Sequence, residues 1–347
     1  MSPARSRILV VGPAWVGDMV VAHSLIQLIH TRLALPLDVL APAWTQPLLA
    51  RMSGVDEAIA APFEHGQLHL GRRLDVARAL KPRRYARAFV LPNSWKSALV
   101  PFLAGIPRRT GFTGELRYGL INDPRRLDRT VMPLMAQRYI ALLQESGEAP
   151  MAQADIPPPA LEAGESSLRS AMENLGLDRE RPVLALCPGA EFGPAKQWPE
   201  SHFADVARHY LELGYAVWLL GSERDLQGAR EIDRLCGARC RVLAGRTTLP
   251  EVIDLLSAAA LVVTNDSGLM HVAAALGRPV VAVFGSTDPE HTPPLGPRAE
   301  IVRRDDLSCS PCFRRECPLA GADHLACLRG LAPSRVIDAS TRLLAAA

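Results

Sequence analysis

A carboxylate, a lysine, hydroxyls and an imidazole stand beside glycine-broken turns in this chain, and each turn follows a short apolar run. In TNDSGLMHVAAAL (264–276), Asn265, Asp266, Ser267 and Gly268 make a polar turn after LVVT. Met270, Val272, Ala273, Ala274 and Leu276 then predict a packed helix that ends near Gly277. A helix that starts this way points unpaired N–H groups out of the carboxyl edge of a sheet, a good place for a phosphate. His271 lies four residues past Ser267 and returns to the same side one turn in. The same residues also read as a capped helix with a core histidine.

Two further loops carry compatible chemistry. PGAEFGPAKQWP (188–199) is an irregular loop ending at Lys196 and Trp198. Its lysine is a point-charge partner for phosphate, or an ordinary surface lysine. In GSERD (221–225), Glu223 can accept from ribose hydroxyls or simply complement a helix dipole. Together these describe a nucleoside-diphosphate site in the second half. In the first half, PAWVGD ends at Asp18, which reads as a general base for an attacking hydroxyl or as a helix N-cap. Gly12 and Gly17 have P-loop spacing, but Asp18-Met19 replaces Lys-Ser/Thr, and no G-x-G-x-x-G occurs. No D-x-D occurs either, so a metal-held diphosphate is not favoured and fixed donors must carry that charge.

Alternating strands and helices must position these loops. Buried strands are predicted at ILVVG (8–12), LDVLAP (37–42) and AFVLP (88–92), with helical stretches after each. The proline-rich stretch 146–165 marks a boundary between domains 1–165 and 166–347. A second alternation follows, with strands at 182–189, 215–221, 241–245, 261–266 and 279–285. The fold class is therefore α/β, with two doubly wound parallel sheets. Arg72-Arg73, Lys81 to Arg84, Arg108-Arg109 and Arg125-Arg126 read as loops between the units of the first half.

At 347 residues, 48% hydrophobic and 22% charged, the composition is that of a globular protein, and no apolar run has the length of a membrane span. The opening residues form a strand, not a signal peptide, so the expected location is the cytoplasm. Net charge is +3 but uneven: residues 1–150 carry +8 and the remainder −5. The basic half implies an anionic partner or solvated arginine faces; no nucleic-acid-binding signature accompanies it. Lys96, Arg108, Arg109 and Arg117 are its candidates for holding such a partner. Seven cysteines do not read as a disulfide framework. Cys309, Cys312, Cys317 and Cys327 make a C-x2-C-x4-C-x9-C array, open to a structural zinc, to free thiols or to a disulfide.

GPAWVGDMV, LPNSWKSALVPFLAGIPRRTG, RYGLIND, CPGAEFGPAKQWP and TNDSGLMHVAAAL resemble the ADP-heptose:lipopolysaccharide heptosyltransferases, in order from Ile8 to about Pro294. The resemblance is strongest to the branch that extends the first heptose of the core. It implies a GT-B fold, two Rossmann-like domains facing across a cleft. It also implies transfer of L-glycero-D-manno-heptose from ADP-heptose to a Kdo-lipid A-heptose acceptor, with inversion and no metal. The acceptor implies a peripheral place at the anionic inner face of the inner membrane. Carried over by position, the resemblance puts the base on Asp18 and the phosphate-contacting lysine on Lys196. The diphosphate turn falls on Asp266, Ser267, Gly268 and His271, and the acidic residue near the adenosine on Glu223. Rival readings are a relative that builds on Kdo or a later core sugar, another GT-B nucleotide-sugar enzyme, and a silent nucleotide-sugar-binding protein.

Overall fold

The computed structural model describes residues 7–63, 67–145 and 147–346. The chain divides between Ala160 and Leu161 into two compact units, five residues before the expected boundary. In the first unit six strands form one sheet: β1 (Arg7–Val11), β2 (Leu37–Pro42), β3 (Glu57–Ala61), β4 (Tyr85–Val90), β5 (Arg108–Phe112) and β6 (Asp123–Arg125). Their spatial order is β3-β2-β1-β4-β5-β6, and every pairing is parallel. The second unit repeats the plan with β7 (Val183–Cys187), β8 (Ala216–Leu219), β9 (Arg241–Val242), β10 (Leu261–Asn265), β11 (Val280–Val283) and β12 (Ala299–Val302). Its order, β12-β11-β10-β7-β8-β9, is the same pattern counted from its own first strand. Both sheets therefore reverse direction of winding beside their first strand, the place where ligands of such sheets bind.

The central strands read as continuous apolar runs because helices cover both of their faces. Leu184, Leu186, Val217, Leu219, Val263 and Val281 are buried in the second unit, packed with Phe203 and Tyr210. In the first, Leu9, Leu40, Val90 and Val100 play this part. The unpredicted strands β3, β5, β6 and β12 lie toward the sheet margins, where RRTGF and DPR carry no apolar run and those of EAIAA and AEIV are short or built mostly of alanine. Two of the expected arginine loops are therefore strands.

The proline-rich stretch is not a free spacer where it leaves the first unit. Ser24 Oγ donates to the Pro157 carbonyl (2.7 Å), Gln27 to that of Pro158 (2.9 Å), and the Ala160 N–H to His23 Nδ1 (3.0 Å). All three side chains project from the helix Val16–Leu33. Residues 157–160 are thus held on its surface.

Candidate active site

In the second unit β7 and β10 are neighbours across the switch point, and the loops leaving them come together. Asn265, the last residue of β10, clamps them. Its Oδ1 accepts the Trp198 backbone N–H (3.1 Å) and its Nδ2 donates to the Pro188 carbonyl (2.6 Å), so both ends of loop 188–199 are fixed to the strand. Trp198 completes the anchor: its ring is buried and its indole N–H donates to the Leu331 carbonyl at 3.1 Å.

Held this way, the loop delivers Lys196 to the turn after β10. Lys196 Nζ lies 2.5 Å from Asp266 Oδ2, the carboxylate side chain only 6% exposed. The Thr287 hydroxyl, on the loop after β11, donates to the same oxygen at 2.6 Å. An ammonium has three N–H bonds, so a lysine fixed through one of them still presents donors to an anion. Its charge also lies 5.0 Å from the centre of the Phe192 ring. The helix Gly268–Ala275 begins beside this cluster. Ser267 caps it with extended backbone and no side-chain capping bond, so that side chain satisfies none of the first-turn N–H groups. His271 is buried, and burial pushes its imidazole down to about 4. Asp266 opposes that shift and Lys196 reinforces it. His271 is therefore neutral at pH 7 and lines the turn without adding charge.

The GSERD loop divides its two carboxylates between two tasks. Asp225 accepts from the Ser222 N–H (2.7 Å) and hydroxyl (2.8 Å), closing the turn. It crowds Gly189 so closely that a Cβ there would lie 2.4 Å from the carboxylate, which explains a glycine in the 188–199 loop. Glu223 stays exposed, beside Gly245 at the end of the neighbouring strand's loop.

In the first unit Asp18 is the third residue of the helix Val16–Leu33, half-buried after the β1 loop. The N-cap is Trp15, so the expectation of Asp18 as an N-cap is corrected. From the first turn its charge still favours the helix dipole. Tyr139 is its buried neighbour: burial, and then the charge of Asp18, hold that phenol well above its ordinary value. A polar residue brought near Asp18 from a helix over a hundred residues away has no local signature, so Tyr139 was missing from the sequence-based expectation.

The basic candidates of the first half separate. Lys96 lies in the first turn of the helix Trp95–Leu103, at the carboxyl end of β4. Arg108 and Arg109 open β5 and so sit at the opposite, amino edge of the sheet. Arg108 pairs with Asp123 (2.8 Å) and Glu145 (3.2 Å), while Arg109 donates to the carbonyls of Leu120 and Ile106. Arg117 is buried and donates to the carbonyls of Pro92 (2.7 Å) and Phe112 (2.9 Å). All three arginines are thus engaged with groups of the first unit itself. More of the positive charge is spent on structure at Asp38, which is fully buried and bound by Arg7, Arg83 and Tyr85.

The four clustered cysteines are free thiols. Burial raises the Cys327 thiol, and Cys312, Cys309 and Cys317 add to that shift as neighbours. Among the described residues, however, no three His, Cys, Asp or Glu side chains converge as ligands for a metal ion. The segment instead packs on the loops after β7 and β11. Ser310 Oγ donates to the Gly285 carbonyl (2.7 Å), the Phe313 N–H to that of Ser286 (2.7 Å), and the Ala195 N–H to that of Arg315 (3.0 Å).

Two six-stranded parallel sheets of Rossmann order in one chain are the architecture of a GT-B glycosyltransferase. Comparison with known proteins agrees and narrows the class. Residues 73–322 match Glycosyltransferase family 9 (heptosyltransferase), and the chain belongs to this family. It is 49% identical over 306 residues to lipopolysaccharide heptosyltransferase 2 of Escherichia coli, covering 86% of this chain and 88% of that one. With lipooligosaccharide heptosyltransferase 2 of Haemophilus ducreyi it shares 41% identity over 98% and 99% of the two chains. The solved structure of E. coli ADP-heptose lps heptosyltransferase II matches with a TM-score of 0.85 and 42% identity, over 98% of this chain and 99% of that one.

Proposed function

We propose that this chain transfers L-glycero-D-manno-heptose from ADP-heptose to the first heptose of a Kdo-lipid A inner core, inverting the anomeric carbon. The observation that carries the reading is the Lys196–Asp266–Thr287 cluster at the head of the helix Gly268–Ala275. As the bond from the anomeric carbon to the diphosphate oxygen breaks, ADP takes the electron pair and gains negative charge. Lys196 and the first-turn N–H groups stabilise that charge, and Asp266 fixes the lysine in place. The acceptor hydroxyl forms the new carbon–oxygen bond, and Asp18 takes its proton. Glu223 binds the ribose. The names of the relatives that match over most of the chain, heptosyltransferase 2 in E. coli and in Haemophilus ducreyi, support the choice of acceptor.

ADP release from ADP-heptose tests the reading. It should appear with an acceptor ending in heptose on Kdo and not with one ending in Kdo; the reverse result would reassign the acceptor. Asp18→Asn should fold and bind ADP but turn over about 10²–10⁴-fold more slowly, and unchanged turnover would remove Asp18 from the mechanism. The diphosphate's charge is met by fixed protein donors, so EDTA should leave the rate unchanged; a chelator-sensitive rate restored by Mg²⁺ would overturn that part. The Cys309, Cys312, Cys317 and Cys327 thiols have the chemistry for a structural zinc but not, as placed, the convergence, so no step depends on one.

Among the described residues no helix is long and apolar enough to cross a membrane. We infer that the enzyme meets its lipid-linked acceptor as a peripheral protein at the cytoplasmic, anionic face of the inner membrane, through the net positive charge of the first half. Binding to acceptor vesicles should weaken as salt rises.

A further inference from the structure

Arg108, Arg109 and Arg117 are engaged within the first unit, which leaves the question of what surface beside Asp18 receives a sugar. We propose that Trp15 and Trp44 form an aromatic platform for the pyranose ring that carries the attacking hydroxyl; this rests on the assignment of Asp18 as base. Of five tryptophans, Trp198 and Trp218 are buried at 2% and 1% exposure. Trp15 and Trp44 are 46% and 49% exposed, and both stand at the carboxyl edge of the first sheet.

The chain builds this pair deliberately into one place. Trp15 is the N-cap of the helix whose third residue is Asp18. Trp44 lies in the short turn Ala43–Thr45 after β2, the strand paired with β1 through Val11 and Leu40. Its indole N–H donates to the Ala14 carbonyl at 2.9 Å, so the ring is tied to the loop that carries Trp15 and Asp18. Thr45 is buried and donates to the Pro42 carbonyl at 2.8 Å, holding the turn tight. With its only donor satisfied inside the protein, the Trp44 ring offers solvent an apolar face and asks for no hydrogen bond.

Exposed indoles fixed at a ligand edge call for a flat apolar partner. A pyranose has one: a face of C–H bonds ringed by hydroxyls. Its position follows from the chemistry, because a hydroxyl within hydrogen-bond reach of Asp18 puts its own ring over the residues around that carboxylate. A lipid chain satisfies the apolar condition but not the second one.

The test uses the full-length enzyme with a soluble, delipidated acceptor saccharide ending in heptose. Trp44→Ala and Trp15→Ala should each raise the acceptor KM about tenfold, as loss of a partly covered aromatic face implies. The Kd for ADP and the melting temperature should hold. Trp44→Phe keeps a ring but loses the bond to Ala14, and should recover most of the KM. Saccharide binding should also quench tryptophan fluorescence, and less so in either alanine variant. Unchanged KM and quenching in both alanine variants would overturn the platform. So would a Phe variant as poor as Ala with the loss falling on kcat, since that marks a loop brace. A defect seen only with vesicle-borne acceptor would also overturn it, in favour of membrane contact. Quenching is read without turnover, so it decides the platform even if Asp18→Asn proves fully active and the base assignment fails.

Discussion

Replacing Lys196 with alanine should do two separable things. The first is structural. Asp266, 6% exposed, would keep the Thr287 hydroxyl but lose a cation 2.5 Å away. Removing one partner of a buried pair costs about 3–5 kcal/mol, and the surviving hydroxyl places this case near the lower figure. For a unit of this size about 3 kcal/mol lowers Tm by roughly 6–12 °C. The second effect is on the ligand: loss of a charge-assisted bond to phosphate, about 1.5–3 kcal/mol, weakens ADP binding about ten- to a hundredfold. Adding Asp266→Asn separates the two. The amide needs no cation, so the double variant should regain most of the lost Tm while ADP binding, measured by calorimetry, stays weak. If ADP affinity returned with Tm, Lys196 would be a structural partner of Asp266 and no phosphate ligand. A single variant that melted within 2 °C of the parent and bound ADP normally would refute the whole account of the cluster.

Other outcomes follow from the same unit. Burial holds His271 down at about 4, while the unfolded chain binds its proton near pH 6.5. The unfolded state therefore takes up more protons between those values, and stability falls as pH drops through that window, by at most about 3 kcal/mol. Urea melts at pH 7 and pH 4.5 should show it, and His271→Gln should flatten the difference; an equal slope in the variant would place the acid sensitivity elsewhere. Asn265→Ala strands the Trp198 N–H and the Pro188 carbonyl, costing about 1–3 kcal/mol. Amide exchange should then speed up over residues 188–199, and ADP affinity should fall although Lys196 is intact. Unaltered exchange there would mean that Asn265 does not hold the loop.

The central strands and the polar turn at 265–268 were legible in the sequence because one physical cause lies behind both. A strand covered on two faces must be apolar throughout, and the turn at its end must be polar and small to let a ligand approach. ILVVG, LDVLAP and LVVTND show that contrast within a few residues of each other. At the sheet margins the cause disappears: RRTGF and DPR pair their strands through backbone bonds while their side chains make ion pairs, so only the partner residues, scattered from Arg87 to Glu145, explain them. Thr287 and Tyr139 were invisible for a similar reason, as was the clamping role of Asn265, which read only as part of the polar turn. Each acts on a residue brought near by the fold, not by the chain.

Charge was the least legible quantity, and the arginines show why. A net of +8 in the first 150 residues says how many cations there are, but not which of them water or a ligand can reach. Asp123 takes several at once. Burial pushes its carboxyl up, but hydrogen bonds from Thr110, Arg125 and Arg108 outweigh this and hold it at about 2. Asp38 likewise forms ion pairs with both Arg7 and Arg83. These clusters lie where β2 and β6 begin, at the amino edge, far along the strands from the ligand loops. A parallel sheet has two chemically distinct ends, and a residue's place along its strand decides which end it serves. Arg108 opens β5 and Phe112 closes it, so only three residues lie between an ion-pair brace and the carboxyl edge of the sheet.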